Sequence, residues 1–407
     1  MTDNDQEPNN NNNNNINCSN SSSSSTSYTP KEFSKWDEID INPLLLRGLY
    51  AYGFDTPSMI QQKSVLSLFD KKDMIAQAQS GTGKTGAFTV GVLQSVDTSK
   101  DVVQSLILAP TRELAKQIVD VISNIGTFMS VRIQLLVGGT STDDDISDFK
   151  TQKPQIVVGC PGRVYDLLRR RVLQAKDIRI MILDEADEML SVGFKDQVYN
   201  IFQYLNTTVQ VGLFSATMSE EMHSLSEKFL RNPVKILVKA DALTLEGIVQ
   251  YYVALEDDAH KYDTLKDIYK IVAMSQCIIY CNSIKRVVDL TDAMQRDNFP
   301  VCCIHSGMDK KDRDVAFTEF KQGKHRVLIS SNVTARGIDV QNVGIVINFD
   351  VPHDIHTYLH RIGRSGRWGR KGKAINFITR WDLKKIKEIE VYYQTSITEL
   401  PGNFNID

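Results

Sequence analysis

Short, wholly apolar runs alternate along the chain with stretches in which apolar residues recur at helical spacing. The runs include SLILAP, QIVVGCP, IMILDEAD and QVGLFSAT, and residues 113–125 form one of the stretches between them. Strands that are apolar on both faces and separated by helices are typical of a parallel sheet covered by helices on both sides. The pattern therefore predicts an α/β fold.

The alternation pauses near KADALTLEGI and then resumes with CIIYCNS, VCCIHS, HRVLISS and GIVINFD. We predict a first domain over residues 31–239, a linker over 240–248 and a second domain over 249–407, with a cleft between the domains. Residues 1–30 contain an Asn run and a Ser run and have few apolar side chains. They cannot bury enough apolar surface to offset the entropy of ordering, so we predict a disordered tail.

Composition narrows the class of protein. A net charge of −3 over 407 residues argues against a polybasic binder, so any contact with nucleic acid must come from a local surface. No apolar run approaches the roughly 20 residues of a membrane span, and the polar N-terminus shows no signal-peptide pattern. The six cysteines show no disulfide framework, which favours a reducing compartment.

The segment AQSGTGKT, which begins at Ala78, follows a strand-like run and precedes a helical stretch. It matches a P-loop except that Ala78 stands where the first glycine is usual. Gly81 and Gly83 allow backbone N–H groups to turn toward phosphate. Lys84 can reach the outer phosphates, and Thr85 offers a hydroxyl to Mg²⁺.

A P-loop needs a second magnesium ligand on a neighbouring strand, and IMILDEAD supplies one. Asp184 ends the apolar run, which places its carboxylate at the carboxyl edge of the sheet. Glu185 follows and could position and deprotonate an attacking water. A solvated acidic loop is the alternative interpretation, and the P-loop upstream weakens it.

Several motifs stand in order: AQSGTGKT, PTRELA from Pro110, DEAD from Asp184, SAT from Ser215, ARGID from Ala335 and HRIGRSGR from His360. Together they resemble the DEAD-box RNA helicases, from about residue 36 to the C-terminus. The resemblance implies two tandem RecA-like parallel-sheet domains joined by a short linker, with ATP and Mg²⁺ as cofactors and RNA as partner. LLRGLYAYGF, DEADEML and LTLEGI are most similar to the translation initiation branch of that family and its nuclear paralogue.

The resemblance implies an ATP site shared by both domains. Gln61, in GFDTPSMIQ, would read adenine, and Trp36 would stack on the base, with Phe33 as a nearby alternative. Catalysis would rest on Lys84, Asp184 and Glu185, with Arg364 and Arg367 facing the γ-phosphate across the cleft. The remaining residues implied to bind ATP are Ala78, Gln79, Ser80, Gly81, Thr82, Gly83, Thr85 and Asp339.

The resemblance also implies an RNA path and a set of residues that couple it to ATP. The implied RNA contacts are Thr111, Arg112, Gly139, Cys160 and Arg163 in the first domain and Lys310, Arg313 and Ser331 in the second. The implied coupling residues are Asp187, Ser215, Thr217 and His360. Cys160 replaces the usual Thr, so one phosphate contact lacks a hydroxyl donor. Arg361 is expected to serve the domain interface or RNA, and contacts to the backbone imply little sequence preference.

The expected function is RNA-stimulated ATP hydrolysis that closes the cleft and unwinds short duplexes, with a role in translation initiation in the cytoplasm. The alternative is an ATP-gated RNA clamp in a nuclear mRNA complex of the exon-junction type. A small-molecule kinase or transporter ATPase would not explain the arginines of the second domain. We expect a monomeric core, no membrane partner, and an initiation scaffold or other mRNA-complex proteins as partners.

Overall fold

The computed structural model describes residues 32–78, 81–191, 193–218, 220–237, 247–272, 275–334, 343–365 and 372–402. The predicted tail and most of the predicted linker lie outside this part of the chain. So do four of the predicted site residues, namely Gln79, Ser80, Asp339 and Arg367. Within the described residues, no helix has both the length and the apolar character needed to cross a membrane.

The first domain is a seven-stranded parallel sheet in the order β3-β4-β2-β5-β6-β1-β7. Two separate apolar clusters form its core, one on each face of the sheet. Its strands are β1 (Met74–Gln77), β2 (Ser105–Leu108), β3 (Ile133–Leu136), β4 (Ile156–Gly159), β5 (Ile180–Asp184), β6 (Gln210–Ser215) and β7 (Val234–Leu237). Its helices are α1 (Pro43–Tyr52), α2 (Met59–Phe69), α3 (Lys84–Ser95), α4 (Arg112–Ile125), α5 (Thr142–Gln152), α6 (Pro161–Arg169), α7 (Ala186–Ser191), α8 (Lys195–Tyr204) and α9 (Glu220–Phe229).

The second domain repeats this design with a parallel sheet in the order β10-β11-β9-β12-β13-β8-β14. Its strands are β8 (Ile248–Ala254), β9 (Gln276–Tyr280), β10 (Val301–Ile304), β11 (Val327–Ser330), β12 (Val343–Asn348), β13 (Gly372–Ile378) and β14 (Thr398–Glu399). Its helices are α10 (His260–Val272), α11 (Ile284–Arg296), α12 (Lys310–Lys321), α13 (Ile355–Ile362) and α14 (Leu383–Tyr393). The predicted α/β fold with two parallel-sheet domains is confirmed.

One predicted boundary needs a correction. Ile248, placed at the end of the linker, is the first residue of β8 and pairs with Gly372 of β13. The run IVQYYVA forms this strand. Its first residue could not be recognised from the sequence, because Gly247 and the polar residues before it suggest a linker.

The strand order explains why distant motifs meet. β5, β6 and β1 are neighbours, so the loops that follow them emerge side by side at the carboxyl edge of the first sheet. These loops carry the DEAD, SAT and P-loop residues. Every residue of β5 and β6 is buried, as their continuous apolar character predicts for central strands.

Candidate nucleotide and RNA sites

The described part of the P-loop, residues 81–83, forms the turn that leads into α3. Gly81 and Gly83 have φ values of 87° and 101°, a region that favours glycine. A Cβ added to Gly83 would stand 2.7 Å from the Ser58 Oγ, so the loop also needs glycine for close packing. Lys84 opens α3 and its Nζ donates to the carbonyl of Ala78 at 2.6 Å. The ammonium group is therefore directed back over the loop, where it can meet phosphate.

Two acidic residues lie side by side at the end of β5. Asp184 and Glu185 are both buried, and the Glu185 N–H donates to Oδ1 of Asp184 at 3.0 Å. Burial, followed by the neighbouring Glu185 carboxylate, raises the pKa of Asp184 to about 7. Glu185 has a φ of 51°, a strained value for a residue with a side chain, and such strain clusters at functional sites.

A cavity of about 460 Å³ joins these elements. The P-loop and the buried acids line it together with Arg364, which comes from the second domain. Arg364 is itself buried, and its Nε donates to the His360 carbonyl at 3.2 Å. The structure thus brings a predicted cross-cleft arginine to the same cavity as Lys84.

The donor set around this cavity fits Mg²⁺. Thr85 and Asp184, the predicted ligands, both line the cavity and offer the oxygen atoms that this ion prefers. Burial, and after it the Glu185 carboxylate, raises the pKa of Asp184, and a bound cation would lower that pKa again.

The prediction that Trp36 stacks on adenine is wrong. Trp36 is 0% exposed and packs in the core of the first domain against Phe33, with ring centroids 5.5 Å apart. Neighbouring side chains cover both faces of the Trp36 ring. Neither Trp36 nor Phe33 lines the cavity.

A different aromatic residue, Phe54, stands at this cavity. It lines the cavity and packs edge-on against Tyr52, with ring centroids 5.1 Å apart. The signal was present in the sequence, because Phe54 is the second residue of the segment GFDTPSMIQ that carries Gln61.

Gln61 is buried beside the same cavity. Its Oε1 accepts from the Ser58 N–H at 2.8 Å, and its Nε2 donates to the Gly83 carbonyl at 3.2 Å. The first bond is part of a capping box at the start of α2. Gln61 therefore connects the start of α2 to the P-loop.

The four predicted coupling residues form one buried cluster. The Thr217 hydroxyl donates to Oδ2 of Asp187 at 2.7 Å, and Nε2 of His360 lies 3.4 Å from the same oxygen. The Ser215 hydroxyl donates to the Thr217 carbonyl at 2.8 Å. Nδ1 of His360 lies 3.8 Å from Glu185.

His360 brings the second domain into contact with the DEAD residues. Possible ligand atoms of Glu185, Asp187 and His360 lie within 4.8 Å of one another. We interpret this group as a contact between the domains rather than a metal centre, because Thr217 already binds the shared Asp187 oxygen.

A second cavity, of about 500 Å³, gathers most of the predicted RNA residues. Thr111, Arg112, Cys160 and Arg163 line it from the first domain, and Arg313 lines it from the second. Lys310 lines an adjoining cavity with Arg112.

Gly139 and Ser331 stand apart from the cavity lining. A Cβ on Gly139, whose φ is 77°, would stand 2.8 Å from Nη1 of Arg112, so the arginine crosses this glycine closely. Ser331 is buried at the end of β11 and lines neither of the two cavities.

Two guanidinium groups predicted to meet RNA already have protein partners. Nη1 of Arg313 lies 2.8 Å from Oε1 of Glu113, and both side chains are 11% exposed, so this ion pair joins the two domains. Arg163 is ion-paired to Asp145 and donates to the Thr140 carbonyl at 2.8 Å. Sequence reasoning missed Glu113 and Asp145, since neither forms a local pattern with its arginine.

Cys160 is the N-cap residue of α6, and its side chain makes no capping hydrogen bond. Burial raises the pKa of the thiol to about 12, so the group is neutral. It contributes neither charge nor a strong donor to the cavity that it lines.

Arg361 lies in the interior of the second domain, and the prediction that it serves the interface or RNA is wrong. It is 0% exposed, and burial lowers its pKa to about 10. Its guanidinium donates to side chains that follow or end β9, β11 and β12 and to one main-chain carbonyl. These acceptors are Asn282, Asn332, Asn348 and the carbonyl of Asp350. Arg361 thus ties α13 to three strand ends.

Comparison with known proteins agrees with this geometry. The DEAD/DEAH box helicase family model matches residues 58–225, and the helicase conserved C-terminal domain model matches residues 260–369. The ATP-dependent RNA helicase eIF4A of Lodderomyces elongisporus is 49% identical over 369 residues, covering 91% of this chain and 93% of that protein. The protein of the same name from Neurospora crassa is 50% identical over 368 residues, covering 90% and 92%.

Solved structures give the same result. S. cerevisiae Dbp5 bound to RNA and ADP BeF3 matches with a TM-score of 0.86 and 35% identity, covering 91% of this chain and 96% of that one. Mss116p bound to ssRNA and AMP-PNP matches with a TM-score of 0.82 and 26% identity, covering 92% and 80%. The two parallel-sheet domains are therefore RecA-like, as in those helicases. On the family models and on relatives of about half-identical sequence, this chain belongs to the DEAD-box helicase family.

Proposed function

We propose that this DEAD-box protein is an ATP-dependent RNA helicase in which RNA-stimulated ATP hydrolysis drives closure of the cleft and local unwinding of short duplexes. The observation that carries the proposal is the assembly of one site from two domains. Arg364 lines the cavity that holds Lys84, and His360 contacts Asp187 beside it. Such a site is complete only when the domains are together.

Nucleotide would bind with its base at Phe54 and Gln61 and its phosphates at the P-loop. Phe54 offers a ring that can stack on adenine, and the Gln61 amide can both donate and accept along the base edge. Lys84 would bind the outer phosphates. Gln79, Ser80 and Asp339 remain predicted contacts outside the described residues.

The protein residues supply the base and part of the charge stabilisation for hydrolysis. Bound Mg²⁺, held by Thr85 and Asp184, would neutralise phosphate charge. Glu185 would take the proton of the attacking water, since its buried carboxylate lies beside Asp184. Arg364, and Arg367 as predicted, would meet the charge that develops on the transferred phosphoryl group.

RNA would bind through its backbone along the cavity that both domains line. Thr111, Arg112 and Lys310 provide a hydroxyl, a guanidinium and an ammonium there. Arg163 would act by holding the loop at Thr140 in place. Phosphate contacts position a strand without reading its bases, so sequence preference is small.

The ion pair of Glu113 and Arg313 would connect RNA binding to closure. It links the first domain to the second, and both residues line the candidate RNA cavity. Bending of one strand in the closed cleft would then oppose duplex stacking. We place this activity in translation initiation in the cytoplasm, with an initiation scaffold as partner. The curated relatives of about 49–50% identity carry the name eIF4A, which supports that choice over the nuclear clamp.

The direct test compares two variants of the full chain. Glu185→Gln should bind ATP and RNA yet lose turnover by about 10²–10⁴-fold, the usual contribution of a general base. Arg364→Ala should retain ATP affinity without RNA and lose RNA-stimulated turnover by about 10³-fold or more.

Arg296→Ala, an exposed arginine of α11, is the matched control and should hydrolyse ATP at the wild-type rate. RNA-stimulated phosphate release and ATP binding are measured for each protein. Near-normal turnover in Arg364→Ala would contradict a site shared by two domains.

A further inference from the structure

A third cavity, of about 480 Å³, lies in the first domain on the side opposite the nucleotide and RNA sites. Its lining comes from segments that lead into β2, β4 and β5, so it sits at the amino edge of the sheet. The motif residues all sit at the carboxyl edge. The lining residues that carry the argument are Val103, Ile146, Phe149, Lys150, Arg171 and Val172.

The floor of this cavity is apolar and incompletely covered. Val103 belongs to a core cluster of the first domain, and Ile146, Phe149 and Val172 pack against that cluster while remaining partly exposed. Apolar surface that stays open within a concave site is typical of a place where another apolar group binds.

The rim of the cavity carries an excess of positive charge. The cavity is lined by three basic side chains and by only two carboxylates. The basic residues are Lys150, Lys153 and Arg171, and the acidic residues are Asp101 and Asp177. Asp101 is engaged by Lys153 at 2.8 Å and by Arg132 at 2.7 Å.

Two rim cations are available to a ligand. Lys150 and Arg171 are exposed, and within the described parts of the chain neither takes part in an ion pair. Arg171, whose φ is 59°, follows α6 and lies at the edge of the cavity. The chain as a whole carries a net charge of −3, so this local excess is not a general property of the surface.

We propose that this cavity docks a partner protein through a short acidic and apolar segment. One or two apolar side chains of that segment would cover the floor, and flanking carboxylates would pair with Lys150 and Arg171. RNA phosphate could meet the same cations, but it would leave the apolar floor in water. The charge and the floor together therefore favour a peptide over a nucleic acid.

The position of the cavity has a mechanistic consequence. Because its lining comes from one domain and lies away from the carboxyl edge, a partner held there need not leave when the cleft opens or closes. The cavity would thus tether the enzyme to a complex without competing with ATP or RNA. This partner site goes beyond the proposed helicase activity.

The experiment uses the full chain and a fluorescein-labelled peptide, Gly-Glu-Glu-Leu-Phe-Glu-Glu-Gly. Anisotropy should show saturable binding that weakens as salt rises. The double variant Lys150→Glu with Arg171→Glu should weaken affinity by about tenfold, since two exposed attractions become repulsions. Phe149→Ala should weaken affinity as well, which reports on the floor independently of charge.

Matched controls separate this site from general charge effects. The control double variant, Lys71→Glu with Lys235→Glu, alters two exposed lysines elsewhere on the domain. Lys71 has a left-handed backbone conformation, as Arg171 does. This variant should leave the affinity for the peptide unchanged. Peptides with Lys in place of Glu, or Ser in place of Leu and Phe, should bind far more weakly.

Saturating peptide should leave RNA-stimulated ATP hydrolysis unchanged, which separates this result from the test of the helicase activity. Failure of the wild-type chain to bind the acidic peptide would overturn the proposal. So would equal affinity in the Lys150 and Arg171 double variant, or displacement of the peptide by oligouridine.

Discussion

Asp184, a predicted magnesium ligand, illustrates how burial and a neighbouring carboxylate raise the pKa of an acid. Its carboxylate shares a buried strand end with Glu185, and desolvation raises its pKa to about 7. The unfolded chain holds this group at a pKa of about 3.9. An acid whose pKa is higher in the folded protein costs stability as it ionises, so folding is disfavoured as pH rises through that interval.

Replacement of Asp184 by Asn should therefore stabilise the nucleotide-free protein at pH 7.5 while abolishing hydrolysis. The Asn side-chain oxygen can still accept from the Glu185 N–H. We expect the midpoint of thermal unfolding to rise by about 2–4 °C, the shift that roughly 1 kcal/mol causes in a domain of this size. Asp196→Asn, at an exposed site in α8, is the control and should not shift it. A lower midpoint in Asp184→Asn would contradict the inferred cost of ionising this buried carboxyl group.

Cys160 offers a gain of function through one substitution, which replaces the thiol by a hydroxyl and adds a methyl group. Its neutral thiol caps nothing at the start of α6. Cys160→Thr should strengthen ATP-dependent RNA binding by about 0.5–1.5 kcal/mol, the net value of one hydrogen bond. RNA affinity in the presence of a non-hydrolysable ATP analogue measures this. Equal or weaker binding would show that backbone groups already satisfy the phosphate.

The short 3-10 helix at Trp36–Glu38 and the turn before α2 have distinct roles, although both carry aromatic residues close to Gln61 in sequence. Trp36 is a core residue, whereas Phe54 lines the nucleotide cavity. The difference follows from packing, since the 3-10 helix turns Trp36 toward the cluster beneath α1.

Alanine substitutions at these two positions should separate stability from ATP affinity. Trp36→Ala should lower the free energy of unfolding by about 3–5 kcal/mol, as expected for a large buried aromatic residue. Phe54→Ala should instead weaken ATP binding by about 1–3 kcal/mol, the usual loss of a base-stacking ring. Chemical denaturation and nucleotide titration are run on both variants. Weakened ATP binding in stably folded Trp36→Ala would restore the stacking role to Trp36.

Polar contacts join the two domains at the candidate RNA and ATP sites. Glu113 and Arg313 form one of them, and Asp187 with His360 forms another. These groups are largely buried where the domains meet. We therefore expect their pairing to favour closure only when RNA and ATP have already brought the domains together.

A double-mutant cycle at Glu113 and Arg313 tests this coupling. Each single change, Glu113→Gln or Arg313→Gln, should reduce RNA-stimulated turnover strongly, because it leaves a partly buried charge without its partner. The double variant should be less impaired than the sum of the single losses, with a coupling free energy of about 0.5–3 kcal/mol. ATP affinity without RNA should remain normal in all three. Strict additivity would show that the pair does not act in closure.

Sequence determined the fold class and the chemistry of the nucleotide site, because both depend on local patterns. Continuous apolar strands predict a covered parallel sheet, and P-loop and DEAD residues are adjacent in the chain within each motif. Tertiary structure decided which side chains remain available. It buried Trp36 and Arg361, and it gave Arg313 and Arg163 acidic partners that lie far away in sequence. The physical reason is that burial and ion pairing depend on the packing of distant elements, whereas strand periodicity and loop chemistry are local properties of the chain.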